Sequence, residues 1–186
     1  MIQPPHEAMG KGVLQLRPLT RADERSFWEA VDEFRLENTD FEFALGYGDS
    51  ANFSDYVARV AGWPRGENLP PRFVPGAFYV GVVDGQVVGR LSLRYQLTEF
   101  LSKIGGHIGY GVRPSQRRRG YAAEMLKQTL PICANLGMDK VLITCDADNI
   151  GSSKVIEKCG GIFEAMTSEP ELKIQKRRYW IETSKL

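Results

Sequence analysis

Apolar and polar residues alternate through VLQLRPL, residues 13–19, with the period of a strand that buries one face. Thr20 then offers an N-cap to a segment spacing Phe27, Val31 and Phe34 along one side of a helix. A second, shorter helix is predicted where Phe53, Tyr56, Val57 and Val60 recur, and Gly62 with Pro64 ends it. The proline-rich run PRGENLPPRFVPG, residues 64–76, keeps no period and reads as a loop long enough to act as a flap. AFYVGVVDGQVVGRLSLRY reads as two strands around Asp84-Gly85, a pair suited to the positive φ angles of a tight hairpin. Its second arm is expected to place Val87, Gly89, Leu91 and Leu93 on one face and Arg90, Ser92 and Arg94 on the other.

Further on, GHIGYGV predicts a glycine-rich strand, and the stretch after Gly120 sets Ala122, Met125, Leu126, Thr129, Leu130 and Cys133 on one helical stripe. Pro131 sits inside that helix and is expected to bend it. KVLITCDA reads as a buried strand, NIGSSKVIEKCGG as a helix closed by glycine, and GIFEAM and RRYWIE as two last strands. The order β-α-α-β-β-β-α-β-α-β-β predicts an α/β fold with a mixed sheet. Residues 1–12, rich in proline and glycine, are expected to form a disordered tail, and 13–186 a single domain.

Composition narrows the function. With 24 basic and 23 acidic side chains in 186 residues the net charge is +1, so clustered arginines are a local feature and nucleic acid is not an expected partner. Cys133, Cys145 and Cys159 lie far apart without CxxC spacing, which argues against a disulfide framework or a metal site and for the reducing cytoplasm. No window is apolar enough for a signal peptide or a membrane span, so no membrane association is expected.

One stretch stands out: GYGVRPSQRRRGYAAEM, residues 109–125, runs from a strand straight into a helix. The first N–H groups of a helix lack partners within it, and the aligned peptide dipoles make that end partly positive. Gly120 lets a phosphate approach the backbone, Ala122 keeps the next turn small, and Arg117, Arg118 and Arg119 surround it with charge. A diphosphate suits this socket. Neither GxxxxGK[ST] nor a GxGxxG opening the first helix is present, so nucleotide hydrolysis and dinucleotide binding are not indicated.

RRRGYA, Arg117 to Ala122, resembles the [QR]xxGx[GA] acyl-CoA-binding signature of the GNAT family of N-acetyltransferases. NIGSSKVIEKCGG is similar to the family's later helix, with Asn149 and Ser152 where cofactor contacts usually fall, and GGHIGYGVRPS, VLITCDADN and RYWI resemble one bacterial branch of uncharacterised acetyltransferases. The resemblance covers roughly residues 75–182. It implies a mostly antiparallel sheet with a splayed central parallel pair, flanked by about four helices, and acetyl-CoA as acyl donor without a metal. The pantetheine arm would lie along Tyr110, Gly111 and Val112, with Tyr121 beside the diphosphate and a bulge at Gly109 or Gly111 opening the strands.

Such an enzyme would acetylate a primary amine of a small molecule or peptide by direct attack in a ternary complex, as a monomer or homodimer. His107, with an ordinary pKa near neutral, is the candidate base, with Glu99 and Glu37 in reserve, and a backbone N–H near Tyr110 to Val112 the candidate oxyanion donor. Many relatives carry a tyrosine seven residues after the helix-opening asparagine as general acid; here that position is Ile156, leaving Tyr110, Tyr121, Tyr179 or water. Gly161 stands where an aromatic is common, and Phe163 is a candidate to fill that volume. Acceptor specificity is expected from the first two helices, the 64–76 loop and residues 95–104. The aromatics Phe41, Phe43, Tyr47, Phe53, Tyr56 and Trp63 are expected in the core, and Glu33, Glu37, Asp40 and Glu42 on a solvated helix face. The alternative is an acyl-CoA sensor or scaffold without transferase activity.

Overall fold

The alternation that begins at residue 13 resolves, in a computed structural model describing residues 12–37, 41–169 and 173–183, into β1 (Gln15–Pro18) and then α1 (Glu24–Leu36). Thr20 takes the N-cap of the short turn that leads into α1, as expected, and Asp23, three residues on, answers it. The Asp23 carboxylate accepts from the N–H and hydroxyl of Thr20, each at 2.8 Å, and pairs with Arg17 at 2.6 Å. Burial alone would raise its pKa, but Arg17 and Thr20 hold the carboxyl below the usual carboxylate range. α2 (Phe53–Gly62) begins on Asn52, whose Oδ1 accepts the Asp55 N–H at 2.9 Å.

β2 (Gly76–Val83) and β3 (Gln86–Arg94) form the hairpin, with Asp84 at φ 49° and Gly85 at 75°. Then come β4 (Ile108–Val112), α3 (Tyr121–Asn135), β5 (Lys140–Asp146), α4 (Ile150–Lys158), β6 (Ile162–Glu169) and β7 (Ile174–Glu182). The element order read from the sequence is the observed one. Periodicity did not reveal a single π-helical turn, Leu101–Gly105, in the connection before β4. α3 continues past Pro131 to Asn135, with the proline on the exposed side. Ala123, not Ala122, joins the buried stripe. Residues 1–11 of the expected tail lie outside the described residues.

The strands form one sheet in the order β1-β2-β3-β4-β5-β7-β6, antiparallel except between β4 and β5. Each face carries its own core, as a sheet covered on both sides requires. α1 and α2 bring Phe27, Val31, Phe34, Phe53 and Tyr56 against Phe78, Val80 and Val82 of β2. α3 and α4 bring Met125, Leu126, Leu130 and Ile156 against Leu91, Leu93, Ile108 and Ile143. A bulge corrects the expected facing of β3: the adjacent Gly81 and Val82 pair with Gly89 and Val87, leaving Val88 as the extra residue, so Val87 packs in the α1/α2 core while Val88 packs with Leu91 and Leu93 in the other. One extra residue in a ladder turns the side chains beyond it to the opposite face. No helix among the described residues is long and apolar enough to cross a membrane.

Candidate functional site

β4 and β5 lie side by side and parallel, yet they share one register position, Ile108 with Ile143. Two bonds secure that end: the His107 N–H donates to the Leu142 carbonyl at 2.7 Å, and the Leu142 N–H donates to His107 Nδ1 at 2.8 Å. Beyond it the strands part around a cleft of about 300 Å³ that Gly109, Tyr110, Cys145, Asn149 and Ser152 help to line. The bulge expected at Gly109 or Gly111 is absent, because β4 keeps unbroken register with β3 from Ile108–Leu93 to Val112–Gly89. The gap is spanned instead by Tyr110, whose hydroxyl reaches Ser152 Oγ at 2.8 Å on the first turn of α4. Gly111 meets a steric demand: a Cβ there would overlap the Phe41 ring, which lies over the strand at this point.

Past β4 the chain turns into α3 through Gly120, at φ 88°, where a Cβ would meet nothing within 4 Å. Glycine is required there by the backbone angle, and the space in front of it is open. From Arg118 to Ala123 no backbone N–H donates to another described residue. Unpaired donors and the dipole of a long helix thus converge on one accessible point, the arrangement that binds phosphate.

The four arginines divide between two tasks. Arg113 pairs with Glu33 at 2.6 Å and Glu29 at 3.4 Å, and Arg117 makes two bonds to Glu37 at 2.8 and 2.7 Å. Glu33 also accepts the N–H and hydroxyl of Ser115, each at 2.9 Å. Burial opposes ionisation of Glu33, but the Ser115 N–H and Arg113 hold its carboxyl below the usual range. Glu33 and Glu37 are therefore not a solvated face: they fasten the 113–117 loop to α1. Glu42 accepts the Gly46 N–H at 2.9 Å, and Asp40 lies outside the described residues. Arg118 and Arg119 stay exposed, with no ion pair among the described residues, and are the two cations the loop leaves for an anion.

The candidate catalytic groups sit differently from expectation. His107 has its Nδ1 lone pair engaged by Leu142, which places the proton on Nε2. Burial, aided by the nearby Arg94 charge, pushes its pKa down to about 4. A ring so held is a poor base, and the ordinary value that recommended it does not apply here. Glu99 pairs with Lys103 at 3.0 Å and Glu37 with Arg117, so neither reserve carboxylate faces the cleft unpaired. Tyr179 is fully buried with its hydroxyl on Glu157 at 3.1 Å, and Tyr121 packs beside the α3 core. Tyr110 alone among the candidate tyrosines lines the cleft, and burial raises its hydroxyl well above the ordinary tyrosine value, the Ser152 bond opposing. Val112 continues β4 toward the loop, its carbonyl accepting from Arg117 Nε at 3.3 Å.

Asn149 caps α4, Oδ1 accepting the Ser152 N–H at 2.9 Å. Ile156 is fully buried, and Gly161 packs so closely on it that a Cβ would stand 2.8 Å from the Ile156 carbonyl, which excludes an aromatic. Phe163 is half exposed, edge-on to Tyr179 at 5.6 Å. Cys145 was not singled out in the sequence, although the alternation of VLITCDA places it with the buried Val141 and Ile143. Its thiol lies 3.4 Å from Ser153 Oγ, and burial raises its pKa. Among the described residues no group of metal-ligating side chains is assembled.

A larger cavity of about 870 Å³ lies on the α1/α2 side of the sheet, between the loop after α2 and the π-helical turn. Trp63, Phe73, Phe100 and Leu101 give it an apolar wall, and Ser92 and Arg94 of β3 reach it from the sheet. The 64–76 loop and residues 95–104, distant in sequence, thus meet around one space. Of the aromatics expected in the core, Phe43, Phe53, Tyr56 and Trp63 are there, Trp63 also walling this cavity, while Phe41 and Tyr47 pack against the core partly buried and Phe41 lines the cleft.

Residues 14–162 match the family model described as an acetyltransferase (GNAT) domain. No curated protein matches the chain. Solved structures do: RimJ of Mycobacterium smegmatis, in complex with CoA-disulfide, is 21% identical with a TM-score of 0.64, over 95% of this chain and 88% of that one. An acetyltransferase of the GNAT family from Streptococcus pneumoniae is 14% identical with a TM-score of 0.64, over 91% and 99%. The protein yncA of Salmonella typhimurium, with its cofactor acetyl-CoA, is 12% identical with a TM-score of 0.59, over 91% and 94%.

Proposed function

The chain belongs to the GNAT acetyltransferase family, and on that premise we propose that it transfers the acetyl group of acetyl-CoA to a primary amine, with 13–186 acting as one domain. The observation that carries this reading is the continuity of two features: a parallel pair joined at one register position, and an open, unsatisfied start of α3 at the end of the strand that leaves it. A linear cofactor with an amide-bearing arm and a diphosphate needs both. Relatives of the same fold have been solved with acetyl-CoA or CoA-disulfide, which supports the assignment.

In this reading the pantetheine arm follows the free edge of β4 from Tyr110 to Val112, and the diphosphate takes the N–H groups from Arg118 to Ala122 with Tyr121 alongside. Arg118 and Arg119 supply charge; Arg117 acts through Glu37, holding the loop in place. Asn149 and Ser152 shape the far wall. The amine attacks the thioester carbonyl directly: its N–C bond forms, the C–S bond breaks, the nitrogen loses a proton and the thiolate gains one. An N–H of Tyr110 or Val112, without a strand partner on that side, stabilises the oxyanion. Cys145 is no intermediate acceptor, since its buried thiol is held protonated. Tyr110 takes the place of the absent tyrosine as proton donor to sulfur, whereas His107 serves to lock the closed end of the strand pair. The three free thiols suit a reducing cytoplasm, and a monomer or homodimer suffices for the site.

The test is thiol released from acetyl-CoA across a panel of primary amines. Amine-dependent release is expected. Ile156 favours the second reading, a sensor: acetyl-CoA would then raise the melting temperature while no amine releases thiol.

A further inference from the structure

Arg90, Ser92 and Arg94 share the face of β3 that looks toward α1 and α2, and two guanidinium groups in one partly buried row need compensation. Neither has a carboxylate within ion-pair distance among the described residues. Arg90 is 4% exposed and is accounted for locally: it donates to the Glu42 carbonyl at 2.8 Å and to Ser92 Oγ at 3.4 Å, and lies over the Phe41 ring at 4.2 Å. Its Nε is sealed without a partner.

Arg94 is different. Its Nη1 donates to the carbonyls of Gly105 and Gly106, each at 3.2 Å, which closes the π-helical turn. Its Nε and Nη2, the edge that binds a carboxylate through two parallel bonds, make no hydrogen bond to a described residue. The residue lines the 870 Å³ cavity. It also stands against the cleft, since a methyl placed on Gly109 would be 3.7 and 3.8 Å from its two terminal nitrogens. Of the other charges around the cavity, Lys103 pairs with Glu99 at 3.0 Å, and Arg72 and Glu169 come from the loop after α2 and the end of β6.

We propose that the acceptor is an amine bearing a carboxylate close to it and an apolar body, an apolar α-amino acid being the simplest, with Arg94 holding the carboxylate. The inference rests on the acetyl-transfer reading and adds the acceptor class. The cavity's aromatic wall takes the apolar body, and the guanidinium takes the anion where cavity and cleft adjoin. Few atoms then separate the carboxylate from the amine that attacks beside Gly109. A polyamine meets charge of its own sign at this point and is disfavoured.

The experiment compares matched pairs in the thiol-release assay: leucine against isoamylamine, and phenylalanine against phenethylamine, each pair differing by the carboxylate. The amino acids are expected to be turned over and the decarboxylated amines not. Arg94→Gln is expected to raise the amino-acid KM about 30-fold, the loss of a charge-assisted pair of bonds. The effect falls on KM rather than kcat, acetyl-CoA still raises the melting temperature, and Arg94→Lys recovers part of the loss. Should Arg94→Gln fail to fold, the matched pairs decide alone. Equal or better turnover of the decarboxylated amines, or a KM indifferent to Arg94, overturns the carboxylate assignment and leaves acetyl transfer standing. Absence of thiol release with every amine tried, while acetyl-CoA still stabilises the fold, overturns acetyl transfer, and this assignment with it.

Discussion

Gly120→Val removes the stabilisation that acetyl-CoA confers on the fold. At a ligand concentration 100 times Kd, binding stabilises a protein by about 2.7 kcal/mol, and weakening it 100-fold leaves about 0.4 kcal/mol. That loss is expected because the space before Gly120 is empty of protein, so a side chain there collides only with what binds to the helix start. Valine has a second cost, because φ 88° is foreign to a β-branched residue and strains the unliganded protein by about 1–3 kcal/mol. Gly120→Asn separates the two effects, since asparagine tolerates the left-handed region. It is expected to melt near the parent without ligand and to gain little from acetyl-CoA. Melting curves with and without acetyl-CoA check both variants; undiminished stabilisation of Gly120→Asn would place the diphosphate elsewhere.

Tyr110→Phe lowers kcat about 100-fold, the scale of a lost proton donor. The ring remains to span β4 and α4, so the hydroxyl is the only group removed; the lost bond to Ser152 costs about 1 kcal/mol of stability. The raised pKa has a directional consequence. Tyr110 stays protonated across the neutral range, so its ionisation adds no falling limb to the rate as pH rises toward the ordinary tyrosine value. Steady-state kinetics of Tyr110→Phe over that range test this. A kcat within a few fold of the parent would make the tyrosine a spacer and leave the thiolate to depart unassisted.

The elements of the fold could be read from the chain because their signals are local: alternation in β1, the Asp84-Gly85 turn, and the glycine and helix-forming run at 120–135. What escaped depends on contacts between distant segments. Val87 fell on the wrong face because Val88 is an extra residue in the ladder, Val87 and Gly89 pairing with the adjacent Val82 and Gly81, a register that only the partner strand β2 reveals. Gly111 suggested a bulge, whereas its neighbour is Phe41, seventy residues earlier in a stretch without period. Arginines near a phosphate socket all looked alike in sequence; the acidic stripe of α1 divides them, taking Arg113 and Arg117.

The site followed the same rule. The backbone socket was legible because its requirements, a strand running into a helix through glycine, are contiguous. The catalytic groups were not, because the behaviour of an imidazole depends on what surrounds it. His107 loses its basicity to a backbone N–H on a strand 35 residues away and to burial beside Arg94. Ile156 and Gly161, departures from the family pattern when read singly, are one packing unit, since a Cβ on Gly161 would run into Ile156.

The most direct test of the central claim is a crystal structure of the protein with acetyl-CoA. The account expects the pantetheine arm between β4 and β5 along Tyr110 to Val112, the diphosphate on the N–H groups from Arg118 to Ala122, and the thioester beside Gly109 and Tyr110. A cofactor seated instead in the cavity behind Trp63 and Arg94, with β4 and β5 untouched, would contradict it.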